Sequence, residues 1–484
     1  MTGERREEAP VAGSGGATPS GEALWAGRFT APPAPEAHAL GRSVHYDVRL
    51  AAQDVRAGVA HVGALEAAGL LAAEDAARLA EALVAVGAAI ADGTFVFDDA
   101  DEDVHSAIER GVTGLVRELG ARLHAGRSRN DLVVTDVRLW MLEAGRRVDG
   151  LTTMLVRTLV DRTREHAETV MPGTTHARFA QPVTLGHHLL AHAWALARDL
   201  ERLGEWSVRT DVSPLGSGAL ATSTLGLDPA ATARRLGMRE AFTNSIDAVS
   251  DRDFALEFLG HATILAMHLS RLAADLARFT DEALGWAELD EGYATGSSMM
   301  PQKRNPDTAE LARGKAARVA AAHAQLAALL QGLPLGYHRD LQEDKEPLFD
   351  AADTLELVLP ALIGAVATLR FDLEAMRRAA EAEGLYATDL AEALVAAGVP
   401  FREAHRRVGE LLKELAAAKR ALRDLTEEEW RAFGVPGGAA LLDPDHAVRA
   451  RSAPGGPSPD SVHAQAAALE RLLSRRRTTD APVP

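Results

Sequence analysis

The chain contains no cysteine, so disulfides and thiolate chemistry are excluded, and any metal would have to be held by histidine and carboxylate alone. Neither a bilayer-spanning run nor the apolar stretch of a signal peptide is read in it. The Gly-, Ala-, Pro-, Ser- and Glu-rich residues 1–23 are expected to form a disordered tail, and the protein is expected to be cytoplasmic. Basic charge is short: 52 Lys and Arg stand against 69 Asp and Glu, a net charge of −17, which argues against binding to a phosphate backbone. Lysine and asparagine are scarce. The lysines are Lys303, Lys315, Lys345, Lys413 and Lys419, and the asparagines Asn130, Asn244 and Asn305. In such a chain, Lys303, Lys345, Asn130 and Asn305 mark positions where a compact ammonium or an amide is needed and an Arg fork would not serve.

What is present is mostly helical pattern. No strand-rich domain or internal repeat is seen. Pro32, Pro33 and Pro35 are expected to hold an extended segment after ordered structure starts at Leu24. A helical pattern then begins near Leu40, breaks at Gly69, resumes at Ala73 and stops at Asp92-Gly93-Thr94. From about Asp131 to Thr169 the spacing of Val133, Val137, Trp140, Met141 and Ala144 predicts one helix of nearly 60 Å. Between Asp253 and Leu284 apolar residues from Phe254 to Phe279 wrap much of the circumference. Such a helix is buried on several sides, centrally in a bundle or against other subunits, so a homo-oligomer is expected. Thr308–Leu330 and Asp350–Arg378 complete the long helices, the latter with a kink at Pro360. After residue 382 shorter helices are separated by turns at Gly398–Pro400 and Gly434–Gly438. The expected fold is all-α, with a tail (1–23), an N-terminal helical domain (24–128), a central long-helix bundle (129–381) and a small C-terminal helical domain (382–484).

Four irregular stretches interrupt this pattern. Thr295 to Asp307 (TGSSMMPQKRNPD) has a flexible Gly296, two hydroxyls and two prolines that forbid a continuous helix, so it reads as a loop. Free N–H groups near Gly296 could cradle developing negative charge, while Lys303 and Asn305 could hold a carboxylate. Gly126 to Asn130 gathers Arg127, Ser128, Arg129 and Asn130 at the start of the long helix, where the dipole favours an anionic ligand. Pro172 to Pro182 reads as a loop between helices carrying Thr175, His176 and Gln181, with His176 as a proton carrier. Tyr337 to Lys345 is a polar segment. Other features have plain readings: Asp101 to His105 is an acidic helix start, and Pro214 to Gly218 is a turn without a nucleotide fingerprint. His188 and His192 have two-ligand metal spacing but no accompanying Glu, so they are read as structural, and no metal or cofactor is expected.

The stretch GSSMMPQKRNP resembles the signature of the fumarase/aspartase superfamily, whose members release fumarate from a substituted succinate. Leu123–Asp131 (LHAGRSRND), Thr175–Pro182 (THARFAQP) and Tyr337–Lys345 (YHRDLQEDK) are similar to segments of its argininosuccinate lyase family, and the similarity spans roughly residues 24–470. The resemblance implies a homotetramer whose sites combine loops of different subunits, cleaving argininosuccinate to arginine and fumarate. It implies Ser297 as the proton-abstracting residue, supported by Lys303, with His176 in the other proton transfer or acting through Ser297. Glu310 would orient His176, or serve only as helix-start charge. Ser43, Arg129, Asn130, Thr175, Gln181, Asn305, Tyr337, Gln342 and Lys345 would bind substrate, Ser43 being equally readable as a helix N-cap. Arg304 stands where that family often has a second lysine.

Overall fold

The structure, a computed structural model, describes residues 34–479; the tail at 1–23 and the ordered start at Leu24 lie outside the described residues. Pro35 does not extend the chain as expected. It is the first residue of a short helix, Pro35–Gly41, a position where a proline's missing N–H costs nothing. Helices α1 (Ala51–Ala67), α2 (Ala73–Ala91) and α3 (Val104–Val116) follow. The first two end where Gly69 and Gly93 take φ of +73° and +71°, the left-handed turn that closes a helix without a Cβ penalty.

The long helices are α4 (Arg129–Glu165), α5 (Leu185–Thr210), α6 (Asp253–Phe279), α7 (Asp307–Leu330) and α8 (Lys345–Thr368). At 37 residues α4 is about 55 Å long. Helix α6 packs along α5, α7 and α8. Its apolar wrap from Phe254 to Phe279 is therefore covered on three sides by helices of the same chain. Close approach is bought with glycine: Gly145 of α4 faces the buried Trp206 of α5 with no room for a Cβ, and Trp206 Nε1 donates to Phe254 O at 2.7 Å. The core runs unbroken from Leu65, Leu79 and Ile108 in the first three helices into the bundle. A separate core of Leu390, Leu394, Val408, Trp430 and their neighbours lies between residues 390 and 435.

Two further expectations are corrected. Helix α8 starts at Lys345 instead of Asp350, because Pro347 falls in its first turn where no N–H is needed, and it ends at Thr368. The remainder is a second helix, Leu373–Ala380, capped by Asp372 through the Ala375 N–H. The stretch around His176 is not an irregular loop but an antiparallel hairpin of β1 (Val170–Thr175) and β2 (Arg178–Thr184). Pro172 and Pro182 face each other in its register, so the ladder is short of two donors and strand patterning is hidden. Among the described residues one helix, Arg339–Thr368, is long and apolar enough to cross a membrane; half of that window is buried inside the fold.

Candidate active site

The residues singled out in the sequence fall into three groups. The first lies where the N-terminal helices meet the start of α8. Ser43 occupies an N-cap position but makes no cap bond; buried, it donates its hydroxyl to Asp47 Oδ2 at 2.5 Å. Asp47 in turn accepts the Val104 N–H, and burial raises its pKa. Gln342 Nε2 donates to Gly41 O at 3.2 Å, which ties the Tyr337–Lys345 segment to the chain just before Ser43. Arg129 pairs with Asp103 at 2.9 Å, and Asp103 caps α3 through Ser106, as expected of an acidic helix start.

Lys345 is buried and fixed. Its Nζ lies 2.9 Å from Asp344 Oδ1, while Arg252 Nε holds Asp344 Oδ2 at 2.5 Å, all three being at most 3% exposed. Burial alone would raise the Asp344 carboxyl; the charges of Lys345 and Arg252 outweigh it and hold the pKa below the usual value. Asn130 lies at the head of α4, whose N-cap Ser128 and N3 Asp131 form a capping box. Asp131 Oδ2 also accepts the N–H groups of Gly216 and Gly218, at 3.0 and 2.8 Å, and Asn130 Nδ2 donates to Ala219 O at 3.0 Å. The turn at Pro214–Gly218 is thus docked onto the site.

The second group rides on the hairpin. Thr175 and His176 are exposed and Gln181 half-buried. His176 and Ala177 form a two-residue turn with φ of +52° and +58°, the type I′ geometry usually filled by Asn-Gly, so the imidazole is presented from a strained backbone. The hairpin is footed on Val170, packed with Ala380 and Val448.

The third group is the signature loop, closed at its base by β3 (Thr295–Gly296) pairing with β4 (Arg304–Asn305). Ser297 Oγ accepts the N–H groups of Met299 and Met300 at 3.3 and 3.0 Å. Two donors on one hydroxyl oxygen favour its deprotonated form. Lys303 is exposed just before β4, and Asn305 is half-buried within it. Arg304 is held by Glu288 and, at 2.8 Å, by Glu291, a two-carboxylate grip suited to a guanidinium fork. Glu310 is exposed, and its carboxylate lies 3.5 Å from Arg313. Among the described residues, no hydrogen bond or ion pair joins the three groups to one another.

Sequence reasoning missed the supports: Arg252 and Asp344 behind Lys345, Asp47 behind Ser43, and Asp131 behind Asn130. Their one signal was charge inside otherwise buried runs.

A sequence model of the lyase family matches residues 27–321, and one of the argininosuccinate lyase C-terminal region matches 384–449. An argininosuccinate lyase of Frankia casuarinae is 48% identical over 455 residues, covering 93% of this chain and 98% of that protein. Another, of Acidothermus cellulolyticus, is 48% identical over 467 residues, covering 95% and 96%. Among solved structures, an EDDS lyase in complex with formate superposes with a TM-score of 0.81 at 27% identity, covering 93% of this chain and 92% of that one. With a family model over most of its length and near-half identity to argininosuccinate lyases along nearly all of it, the chain belongs to the argininosuccinate lyase family of the fumarase/aspartase superfamily.

Proposed function

We propose that this protein cleaves argininosuccinate to L-arginine and fumarate, as a cytoplasmic homotetramer serving arginine biosynthesis. The observation that carries the reading is near-half identity to argininosuccinate lyases over almost the whole chain. Elimination needs a base at the carbon next to a carboxylate, a donor for the departing guanidinium, and cations for the carboxylates, all within a few ångströms. Ser297 is the base, its alkoxide favoured by the Met299 and Met300 N–H groups and by Lys303. His176 serves the second proton transfer, and Thr175, Gln181 and Asn305 line the substrate. Ser43, Arg129, Asn130, Tyr337, Gln342 and Lys345 bind its carboxylates and amino-acid end. Glu310 orients His176 across a subunit boundary.

Assembly from several chains reconciles these roles with the separation of the three groups within one chain. Met154, Met267, Leu311 and Leu357 support it, being 50–61% exposed on four long helices. So does Met299, 88% exposed on the signature loop. The test is fumarate release, followed by ultraviolet absorbance, from argininosuccinate and adenylosuccinate in parallel. Release from argininosuccinate alone, abolished in Ser297→Ala, is expected; release from adenylosuccinate alone would move the substrate assignment.

A further inference from the structure

His188 and His192 stand one turn apart on α5, and the elimination chemistry uses neither. From the neighbouring α6, Asp275 completes a set the spacing alone did not contain. Each Nε2 lies 2.8 Å from the same oxygen, Asp275 Oδ2. The three ligand atoms lie within 4.8 Å of one another. The two rings are inclined by 70° with centroids 5.6 Å apart, so they converge on one point instead of stacking. All three side chains keep some exposure, between 14% and 28%, which leaves an ion a path to the site.

We propose that His188, His192 and Asp275 form a binding site for a divalent transition metal of the zinc type, clamping α5 to α6. Two imidazole nitrogens and one carboxylate oxygen suit zinc, cobalt or nickel, whereas calcium and magnesium call for a shell of oxygens. A helix presents an i, i+4 pair on one face, so two of the three ligands are pre-oriented. Bonds of about 2.0–2.1 Å in a tetrahedral site separate ligand atoms by about 3.3 Å. Each Nε2–Oδ2 gap then has to widen by only about 0.5 Å from its hydrogen-bonded distance, with the ion taking the place of the two ring protons. Three protein ligands leave a fourth position for water.

The clamp lies at the foot of the hairpin. The His188 ring packs on Phe279 at 5.4 Å, Phe279 on Trp286 at 5.6 Å, and Trp286 stacks on Phe179 of β2 at 6.0 Å. Arg278, one turn from Asp275, donates to Thr174 Oγ1 at 3.2 Å, next to Thr175. Metal at this point stiffens the footing of the strained His176 turn, a positioning role and not a catalytic one.

The experiment is a titration of chelator-treated, full-length protein with Co²⁺, followed by visible absorption, then displacement with Zn²⁺ and elemental analysis after desalting. One ion per chain, cobalt bands of a low-coordinate site, and a rise in melting temperature with Zn²⁺ are expected. His192→Phe and Asp275→Asn, each checked for native helicity by circular dichroism, should lose the bands and weaken binding by roughly 100-fold. Absence of bands and of retained zinc in the unmutated protein overturns the proposal without any variant. Binding of equal strength in both folded variants overturns it as well, since the ion would then sit elsewhere.

Discussion

At the scale of single residues, the buried trio of Arg252, Asp344 and Lys345 shows how a cation proposed to bind substrate is held in place. A lone cation in that core would lack a countercharge; one carboxylate shared by Lys345 and Arg252 compensates both and fixes where the Lys345 side chain points. Asp344→Asn leaves both cations without a countercharge, and a loss of about 3–5 kcal/mol is expected by urea denaturation. The sign of the pH dependence follows from the lowered pKa. The contribution of Asp344 is complete above its unfolded pKa near 3.9 and is lost as pH falls through the folded value. Stability curves below pH 4 should therefore be steeper in the unmutated protein than in the variant; parallel curves would contradict the assignment. The left-handed Ala177 makes the opposite kind of prediction. Ala177→Gly relieves a conformation costing an L-residue about 1–2 kcal/mol and gives back some of it as chain entropy, so a net gain of about 0.5–1 kcal/mol is expected in thermal melting.

At the scale of elements, the long helices were legible because a period of 3.6 persists over many turns, as from Val133 to Ala144 in α4. The hairpin was not, since Pro172, Gly173 and Pro182 erase alternation and a His-Ala turn lacks the Asn-Gly signal. The start of α8 was hidden by its polar first turn. Candidate site residues could be proposed from their motifs, but the side chains that hold them could not. Asp344 meets Arg252 across 92 residues, Asp131 meets Gly218 across 87, and Asp275 meets His188 across 87. Such pairings have no local period to betray them. Another remote fit lies just before the signature loop. Tyr293, two residues before Thr295, lies against Gly364 of α8, where a Cβ would overlap its hydroxyl. Gly364→Ala should therefore displace Tyr293, cost about 1–3 kcal/mol in stability and loosen the loop. A fall in kcat larger than that of Gly150→Ala, a helical glycine in open space, is expected in steady-state kinetics; equal effects would leave the loop independent of α8.

At the scale of the whole molecule, the question is how Ser297 and His176, the proposed base and proton carrier, would reach one substrate when, among the described residues, no hydrogen bond or ion pair joins the signature loop to the hairpin. If the site is shared between subunits, two inactive proteins should repair each other. Ser297→Ala retains a sound hairpin, and His176→Asn a sound loop. In a mixed assembly, a site that takes its loop from the second and its hairpin from the first holds both intact groups. Random reassembly from equal amounts gives each of those choices a chance of one half, so about one quarter of the sites, and about one quarter of native turnover, should return. Fumarate release after joint unfolding and refolding checks this, with each variant refolded alone as the background. The recovered activity should also rise and fall with the product of the two fractions as the mixing ratio is varied, greatest at equal amounts. Activity no greater than the sum of the separate variants, from material that sediments as mixed oligomers, would place both residues of each site on one chain and require the hairpin and the loop to move together on binding.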